Sequence, residues 1–265
     1  MKVAVVGQGA LGSALAAALS EAGVDARACP GRAPLPADLA GADAVILAVR
    51  DEAIAQVAAR LPPAPGSAVL HCSGAYSAAE LLGAVATRFG AIGRLHPLLS
   101  IVAGADFRGV VFAVEGAAAR AIAERLGGRP VDVPPERAAL YHAAAALAAG
   151  HLVALLDVAI ELAAAAGLDS DAARHGLCAL ARSALDNLEA HGPAGALTGP
   201  FARGDAAVVA RHLTALPEDV RGIYLALGHR ALALGGAREP DRARLAALLR
   251  DAFPAMVRPH FREEK

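Results

Sequence analysis

The stretch VAVVGQGALGSALAAAL, residues 3–19, decides how the first half of this chain folds. An apolar run predicts a buried strand, three glycines follow in the spacing GxGxxG, and a run rich in Ala and Leu predicts a helix. Gly7 suits a tight turn, Gly9 allows a pyrophosphate to approach closely, and Gly12 allows the helix to pack closely on the strand. The helix N-terminus then faces the phosphates. The stretch therefore predicts the first strand, turn and helix of a dinucleotide-binding domain.

The end of the second predicted strand indicates which dinucleotide binds. It reads CPGR over residues 29–32 and has no acidic residue for the ribose hydroxyls. Arg32 suits a 2′-phosphate, so NADP is favoured over NAD, and an Arg32 that is simply solvated in a surface loop is the alternative. The predicted cofactor contacts are Gly7, Gln8, Gly9, Ala10, Leu11, Gly12, Arg32, Val49, Arg50 and Ser73.

Short apolar runs alternate with helical segments as far as residue 126. Strands are predicted at 2–6, 24–29, 44–49, 67–72, 91–95 and 110–114, and helices at about 10–22, from about 52, at 77–88 and at 117–126. This alternation indicates a parallel sheet covered on both faces. After Pro134 only long helical periods recur. We therefore predict a Rossmann-like α/β domain over residues 1–134, followed by an all-α domain over residues 135–265.

The second half shows clear helix signals. Helices are predicted at about 136–166, from an Asp169 or Ser170 cap to about 190, after an Asp205 cap, and at about 217–234 and 240–252. The first of these is apolar on nearly every face, so we expect other helices to surround it, including those of a partner subunit.

Composition excludes several function classes. The net charge is −1 with no basic block, which argues against nucleic acid as a partner. Cys29, Cys72 and Cys178 show no CxxC spacing, so neither a disulfide framework nor a metal site is predicted, and we expect a cytoplasmic protein. The most apolar stretch, residues 138–168, still carries acidic residues and histidines, so a buried helix is predicted rather than a membrane span.

Polar groups follow several predicted strands. They are Arg50 and Asp51, the HCSG of residues 71–74, and His96 with Pro97. Ligands collect at the carboxyl ends of strands in open α/β sheets, so these tips are expected to line one crevice together with Gly9 and Arg32.

Histidines at such positions are candidates for acid–base work, and a satisfied structural histidine is the alternative at each. Tyr141 and His142 lie in the first turns of the long helix, near the domain boundary. His151 lies half a helical turn round from His142 and cannot serve the same site. We therefore predict His96, Tyr141 and His142 as catalytic residues and His71 as a substrate contact.

Several motifs together resemble one known family. They are GxGxxG, the DEAI of 51–54, HCSG, the LHPL of 95–98, the YHAAAALAA of 141–149 and the LTGPFARGD of 197–205. In this order they resemble the predicted oxidoreductases that join a Rossmann-like domain to a helical C-terminal domain of unknown function. That family is related to pyrroline-5-carboxylate reductase, ketopantoate reductase and 6-phosphogluconate dehydrogenase. The resemblance implies an NADP-binding domain, a helical domain that commonly builds a homodimer, and a substrate pocket between the two.

The resemblance also implies a role for the loop at 196–205. In the pyrroline-5-carboxylate branch, a Thr/Ser-Pro-Gly loop holds the substrate carboxylate through backbone N–H groups. LTGPFARGD is similar to that loop, which implies Thr198, Gly199 and Arg203 as substrate contacts. A plain turn between helices is the alternative, and it explains the Gly, Pro and Asp residues.

Two departures from the family bear on the reaction. Lys2 and Lys265 are the only lysines, whereas the hydroxyacid and ketopantoate branches use an interior Lys; relatives also usually carry Asn where this chain has Gly150. A protonated imine needs no such proton donor, whereas a ketone does. We therefore expect hydride transfer to a small anionic imine or carbonyl compound, and the alternative is a non-catalytic dinucleotide-binding protein used for sensing or assembly.

Overall fold

The computed structural model describes residues 1–32, 34–36, 39, 41–102 and 104–252. The chain forms two compact units, Met1–Leu152 and Val153–Lys265. The first unit holds a sheet with helices and the second is helical, so the predicted fold class is confirmed. The last strand ends at Asp132 and the first unit continues into the helices that follow. The domain boundary near residue 134 stays a prediction.

The sheet of the first unit has seven strands in the order β2-β1-β3-β4-β5-β6-β7. They are β1 (Lys2–Val6), β2 (Asp25–Cys29), β3 (Ala44–Leu47), β4 (Ala64–His71), β5 (Phe89–Pro97), β6 (Val111–Glu115) and β7 (Arg129–Asp132). Neighbouring strands are parallel except β5 and β6, which are antiparallel. The carboxyl ends of β1, β3, β4 and β5 therefore meet on one side of the sheet, where Gly7, Arg50, Ser73 and His96 lie.

Two features of the sheet differ from the sequence prediction. The prediction of a fully parallel sheet was wrong for β5 and β6. Parallel neighbours need a crossover connection, usually a helix, and the described residues between these two strands form no helix. The prediction also missed β7, whose sequence RPVD contains a proline and lies mostly exposed. A short strand at a sheet edge carries no apolar alternation to reveal it.

Helices cover both faces of the sheet, as predicted. They are α1 (Ala10–Glu21), α2 (Asp51–Arg60), α3 (Ala78–Leu82) and α4 (Ala117–Arg125), and α5 (Ala138–Ala148) follows the sheet. The apolar core between the sheet and helices α1 and α4 includes Leu15, Leu19 and Ile122. The core between the sheet and helices α2 and α3 includes Ile54 and Leu82. These two apolar layers hold in place the strands whose carboxyl ends carry the candidate residues.

The second unit packs helices round a small apolar core. The helices are α6 (Gly150–Ala165), α7 (Ser170–Ala196), α8 (Gly199–Arg203), α9 (Ala206–Ala215), α10 (Glu218–Leu234) and α11 (Asp241–Ala252). The predicted caps are confirmed, since the Asp169 carboxylate accepts from the N–H groups of Asp171 and Ala172, and the Asp205 carboxylate accepts from that of Val208.

One predicted helix limit was wrong. The long helix at 136–166 is divided at Ala149, where φ is −118° and ψ is −81°, directly before Gly150. Glycine has a low helix propensity, so the break falls where the helix is weakest. The helix that begins at Ser170 is broken at Gly192, where φ is 68° and ψ is 175°, so its first part ends close to the predicted residue 190 and a short second part continues to Ala196. Pro193 disfavours a helical conformation in the residue before it.

The surface of α5 and α6 is strongly apolar and exposed. An 18-residue window within Pro135–Ala165 has a mean hydropathy of 2.0 and no buried residue, so by length and composition alone this segment is able to cross a membrane. Leu140, Leu147 and Val153 are 71%, 64% and 69% exposed. The helices among the described residues therefore leave this surface uncovered, and its burial by a second subunit stays a prediction.

Candidate functional site

The glycine turn after β1 is built as the motif predicts. Gly7 has a φ of +132°, and a side chain there would overlap the Ala48 carbonyl at the end of β3. A side chain at Gly12 would overlap the Gly7 carbonyl. Gly9 is different, because no atom of the described residues, apart from its two chain neighbours, lies within 4 Å of the position a Cβ would take. The protein's own packing thus requires Gly7 and Gly12, whereas the space beside Gly9 is open.

The ends of β2 and β3 carry the predicted specificity residues. Arg32 is exposed, and a Cβ at Gly31 would lie only 2.7 Å from a methyl carbon of Val49. Arg60 of α2 donates from Nη2 to the Gly31 carbonyl at 2.7 Å and lines the same surface groove as Arg32. Arg60 lies 28 residues after Arg32 in the sequence, on α2, so no local pattern links the two arginines. Arg50 is exposed and paired with Glu52 at 2.9 Å.

A large cavity of about 990 Å³ also begins at the glycine turn, beside Gln8, Gly9 and Ala10. It then runs along α1 to Glu21 and Ala22 at the other end of that helix. The cavity therefore leads away from the edge where the strand tips meet, and we do not place the reaction in it.

The HCSG turn after β4 is tied to the end of β3. The Ser73 hydroxyl donates to Asp51 Oδ2 at 2.8 Å and accepts the Ala75 N–H at 3.3 Å. The Ser73 N–H donates to His71 Nδ1 at 3.1 Å. Burial lowers the pKa of His71 to about 4, so the imidazole is neutral at neutral pH. His71 and Ser73 are both buried, and the contacts that they make shape this turn.

His96, at the end of β5, is brought against Tyr141 and His142 of α5. His96 Nδ1 lies 2.8 Å from the Tyr141 hydroxyl oxygen, and the His96 and His142 rings meet edge to face at 5.9 Å. A Cβ at Gly74 would lie 2.8 Å from His96 Nε2 and 2.7 Å from a His142 ring carbon. Gly74 thus makes the room in which the two imidazoles sit, and the three predicted catalytic residues form one cluster.

Burial sets the protonation of this cluster. It lowers the pKa of His96 to about 4, with the nearby His142 and Arg94 acting in the same direction. It raises the pKa of the Tyr141 phenol. At neutral pH the pair is therefore an uncharged imidazole and a protonated phenol. In the tautomer with hydrogen on Nδ1, His96 donates to the phenol oxygen and leaves the Tyr141 O–H free to donate to a ligand.

A buried ion pair lies behind the cluster. Arg94 is fully buried on β5, and its Nε lies 3.0 Å from Glu115 Oε1 on β6. Sequence reasoning missed Arg94, because a cationic residue inside a strand gives no signal of the carboxylate that will face it.

The loop of residues 196–205 lies in the second unit and forms the short helix α8. Phe201 contacts Gly228 of α10 so closely that a Cβ there would lie 2.8 Å from its ring, and it packs against Tyr224. Gly199 has a φ of +79°, which favours glycine. Thr198 begins α8 without a side-chain cap, and Arg203 is exposed. Neither residue's type is explained by these contacts, and their substrate roles stay predictions.

The strand tips form one continuous row in the first unit. Gly7 adjoins Ala48, Asp51 binds Ser73, and Gly74 adjoins His96. This row unites the glycine turn with the catalytic candidates, as expected from sheet topology. The binding and catalytic roles themselves stay predictions.

Known proteins share this architecture and part of this sequence. Residues 110–231 match the model of a domain of unknown function, DUF2520. No curated protein sequence matches the chain. Protein TM1727 from Thermotoga maritima has a similar solved structure, with 22% identity and a TM-score of 0.66 over 94% of this chain and 98% of that one.

Two enzymes share the fold at lower identity. Plasmodium falciparum pyrroline carboxylate reductase, solved with NADP bound, is 12% identical with a TM-score of 0.58 over 94% of this chain and 98% of that one. A reductive aminase from Aspergillus terreus, solved with NADPH and ethyl-5-oxohexanoate, is 17% identical with a TM-score of 0.58 over 95% of this chain and 93% of that one. The resemblance found in the sequence motifs is thereby confirmed: the chain joins a Rossmann-like domain to a helical C-terminal region, and residues 110–231 match DUF2520.

Proposed function

We propose that this protein is an NADP-dependent reductase that transfers hydride to a small anionic imine or carbonyl compound. The observation that carries the proposal is the 2.8 Å contact between His96 and Tyr141. This contact joins an uncharged imidazole to a phenol on the side of the sheet where the glycine turn also lies, which supports an acid–base role for the two residues. A proton donor beside a dinucleotide site is what reduction of a C=O or C=N bond requires.

The residues round the glycine turn fit an NADP molecule. The open space at Gly9 allows a pyrophosphate to approach the backbone, and the first N–H groups of α1 lack partners within their own helix. Arg32 and Arg60 offer two cationic groups for the 2′-phosphate. The NADP and NADPH named for the two similar enzymes support the same cofactor here.

The chain's own residues then manage the proton. Bound NADPH would supply the hydride to the carbon of the substrate. Tyr141 donates its hydroxyl proton to the substrate nitrogen or oxygen, and His96 passes its Nδ1 proton to the phenolate. As His96 gives up its Nδ1 proton, its Nε2 accepts a proton from solvent water, which leaves hydroxide in the solvent, so the imidazole stays neutral in its other tautomer. With no interior lysine, this pair is the donor that a ketone needs, and it also protonates an imine nitrogen.

The anionic part of the substrate is assigned to the loop in the second unit. Arg203 is an exposed cation, and within the described residues it has no ion pair or hydrogen bond. The positive φ of Gly199 turns the backbone at the start of α8, next to Thr198. A carboxylate or phosphate is the group that such donors recognise.

Thermal-shift titration with NADPH, NADH and no nucleotide tests the cofactor. We expect stabilisation by NADPH at lower concentrations than by NADH. In the Gly9→Val variant the fold should survive, because its Cβ has open space, while stabilisation by NADPH is lost. If neither nucleotide stabilises the wild type, the proposal fails.

Oxidation of NADPH over a panel of keto-acids and cyclic imines then tests the reaction. The second candidate is a non-catalytic dinucleotide-binding protein, favoured by the missing interior lysine and by Gly150. NADPH binding without turnover of any compound in the panel would support that candidate instead.

A further inference from the structure

Arg94 is a buried cation next to the acid–base pair. It lies on β5 two residues before His96, and alternate residues of a strand share one face of the sheet. Its side chain is 0% exposed. A guanidinium in such a place is costly unless its hydrogen bonds and its charge are matched, so its contacts indicate what it holds in place.

The Arg94 contacts link four parts of the first unit. Its Nε faces Glu115 Oε1 of β6 at 3.0 Å, and its Nη2 donates to the Val133 carbonyl at 2.8 Å. The other oxygen of Glu115 accepts the Ala78 N–H at the start of α3, at 2.9 Å. One ion pair thus joins β5, β6 and α3 to the segment that follows β7.

The hydrogen bond from Arg94 to the Val133 carbonyl fixes the segment that leads into α5. It lies between the end of β7 and the prolines at 134 and 135, and the 3₁₀ turn Pro135–Arg137 then leads directly into α5. Proline fixes φ and restricts the residue before it, so this connection is stiff. Tyr141 is the fourth residue of α5, and a shift at Val133 therefore moves its hydroxyl relative to His96.

We infer that Arg94, held by Glu115, is a positioning residue that anchors the start of α5 so that the Tyr141 hydroxyl meets His96. The significance for proton donation rests on the proposed function, whereas the anchoring itself does not. The guanidinium fork spans two partners, because its Nη2 donates to the Val133 carbonyl while its Nε lies in an ion pair with Glu115, although Nε and Nη1 make no hydrogen bond. The single ammonium group of lysine does not span both.

Arg94 also contributes charge to the surroundings of His96. The charged or titratable groups near that imidazole are Arg94, His142, Asp51, His71 and Tyr141. The Arg94→Lys variant keeps the positive charge and loses the fork. It therefore separates anchoring from electrostatics.

Nuclear magnetic resonance of the full chain tests the anchoring without substrate or cofactor. His96→Gln assigns the His96 signals, and the nuclear Overhauser effect between the His96 and Tyr141 rings reports their contact. We expect this effect to be lost in Arg94→Lys and in the double variant Arg94→Met with Glu115→Gln. If the double variant does not fold, the Arg94→Lys variant by itself tests whether Arg94 anchors α5.

The matched control is Arg120→Met. Arg120 pairs with Asp132 at 2.7 Å, one residue before Val133, but both side chains are exposed. The His96–Tyr141 contact should survive in this variant. An intact contact in a folded Arg94→Lys variant, or equal loss in Arg120→Met, would overturn the inference.

An activity readout is independent of that result. If the wild type reduces a compound of the panel, Arg94→Lys should lower kcat by about tenfold to a hundredfold, because misplacement of a reacting group has effects of this size. NADPH affinity should stay unchanged, since the glycine turn is untouched. Loss of the ring contact in a protein without activity would support the anchoring while the reductase proposal fails.

Discussion

At the scale of single residues, the pairing of Tyr141 with His96 is the most direct target. Tyr141→Phe removes the hydroxyl that lies 2.8 Å from His96 Nδ1. Turnover should fall by about a hundredfold or more, as for loss of a general acid, with little change in NADPH affinity. Steady-state oxidation of NADPH with a compound from the panel measures the effect.

A second tyrosine–histidine pair provides the matched control. Tyr224 lies 2.7 Å from His212 Nδ1 in the second unit. Tyr224→Phe removes an equivalent hydrogen bond and should retain turnover. Equal losses in the two variants would show that Tyr141 acts through general stability and not as a proton donor.

Two buried histidines predict how stability depends on pH. Burial lowers the pKa of His71 and of His96 from 6.5 to about 4, so the unfolded chain binds more protons between these values. The contribution of these two histidines to the free energy of unfolding is therefore complete above pH 6.5 and is lost as the pH falls towards 4. Each histidine should lower the free energy of unfolding by about 2 kcal/mol between pH 7 and pH 5.

Urea unfolding at pH 7 and pH 5 measures that loss. His71→Asn keeps an acceptor for the Ser73 N–H and removes one titrating group, so its loss over this range should be about half that of the wild type. His191→Asn, at an exposed position, is the control and should behave like the wild type. An unchanged pH dependence in His71→Asn would contradict the assignment.

At the scale of elements, the loop with α8 combines structural and unexplained residues. Phe201 packs on Gly228, and Asp205 caps α9, so these positions hold the turn. Arg203→Ala should leave the turn intact and raise KM for an anionic substrate by about tenfold, the cost of a lost charge-assisted hydrogen bond. NADPH affinity should not change.

The control for Arg203 is another exposed arginine of the same unit. Arg211 lies on α9, and Arg211→Ala should leave KM unchanged. A parallel loss of substrate and NADPH affinity in Arg203→Ala would mean that the loop has only a structural role.

At the scale of the whole molecule, the exposed apolar surface of α5 and α6 calls for a partner. We propose that a second copy covers it and forms a homodimer, since an exposed patch of this kind marks an interaction site. Leu147 is 64% exposed there. Leu147→Glu would place a charge in the interface, so this variant should be monomeric in sedimentation experiments in which the wild type is dimeric.

Val102→Glu is the control for that experiment, because Val102 is 66% exposed on a loop of the first unit and should not affect assembly. A wild type that is monomeric across the accessible concentration range would contradict the proposal. Recovery of the wild type only in detergent-solubilised membranes would instead assign the surface to lipid. The expected cytoplasmic location and the absence of nucleic acid as a partner stay predictions.

The sequence by itself determined the fold class, the glycine turn, the caps at Asp169 and Asp205, and the strand tips that carry polar groups. These features follow from residues that are neighbours in the chain, because strand runs, glycine spacing and caps are local patterns. It also named His96 and Tyr141, but as separate candidates.

Only the tertiary structure decided that His96 and Tyr141, 45 residues apart, share a hydrogen bond, and that Arg94 joins Glu115 and Val133 behind them. It also decided the direction of β6, the strand β7 and the exposure of the α5 and α6 surface. The physical reason is that these properties depend on which distant segments meet, and a local pattern does not specify the partner of a buried charge or of an apolar face.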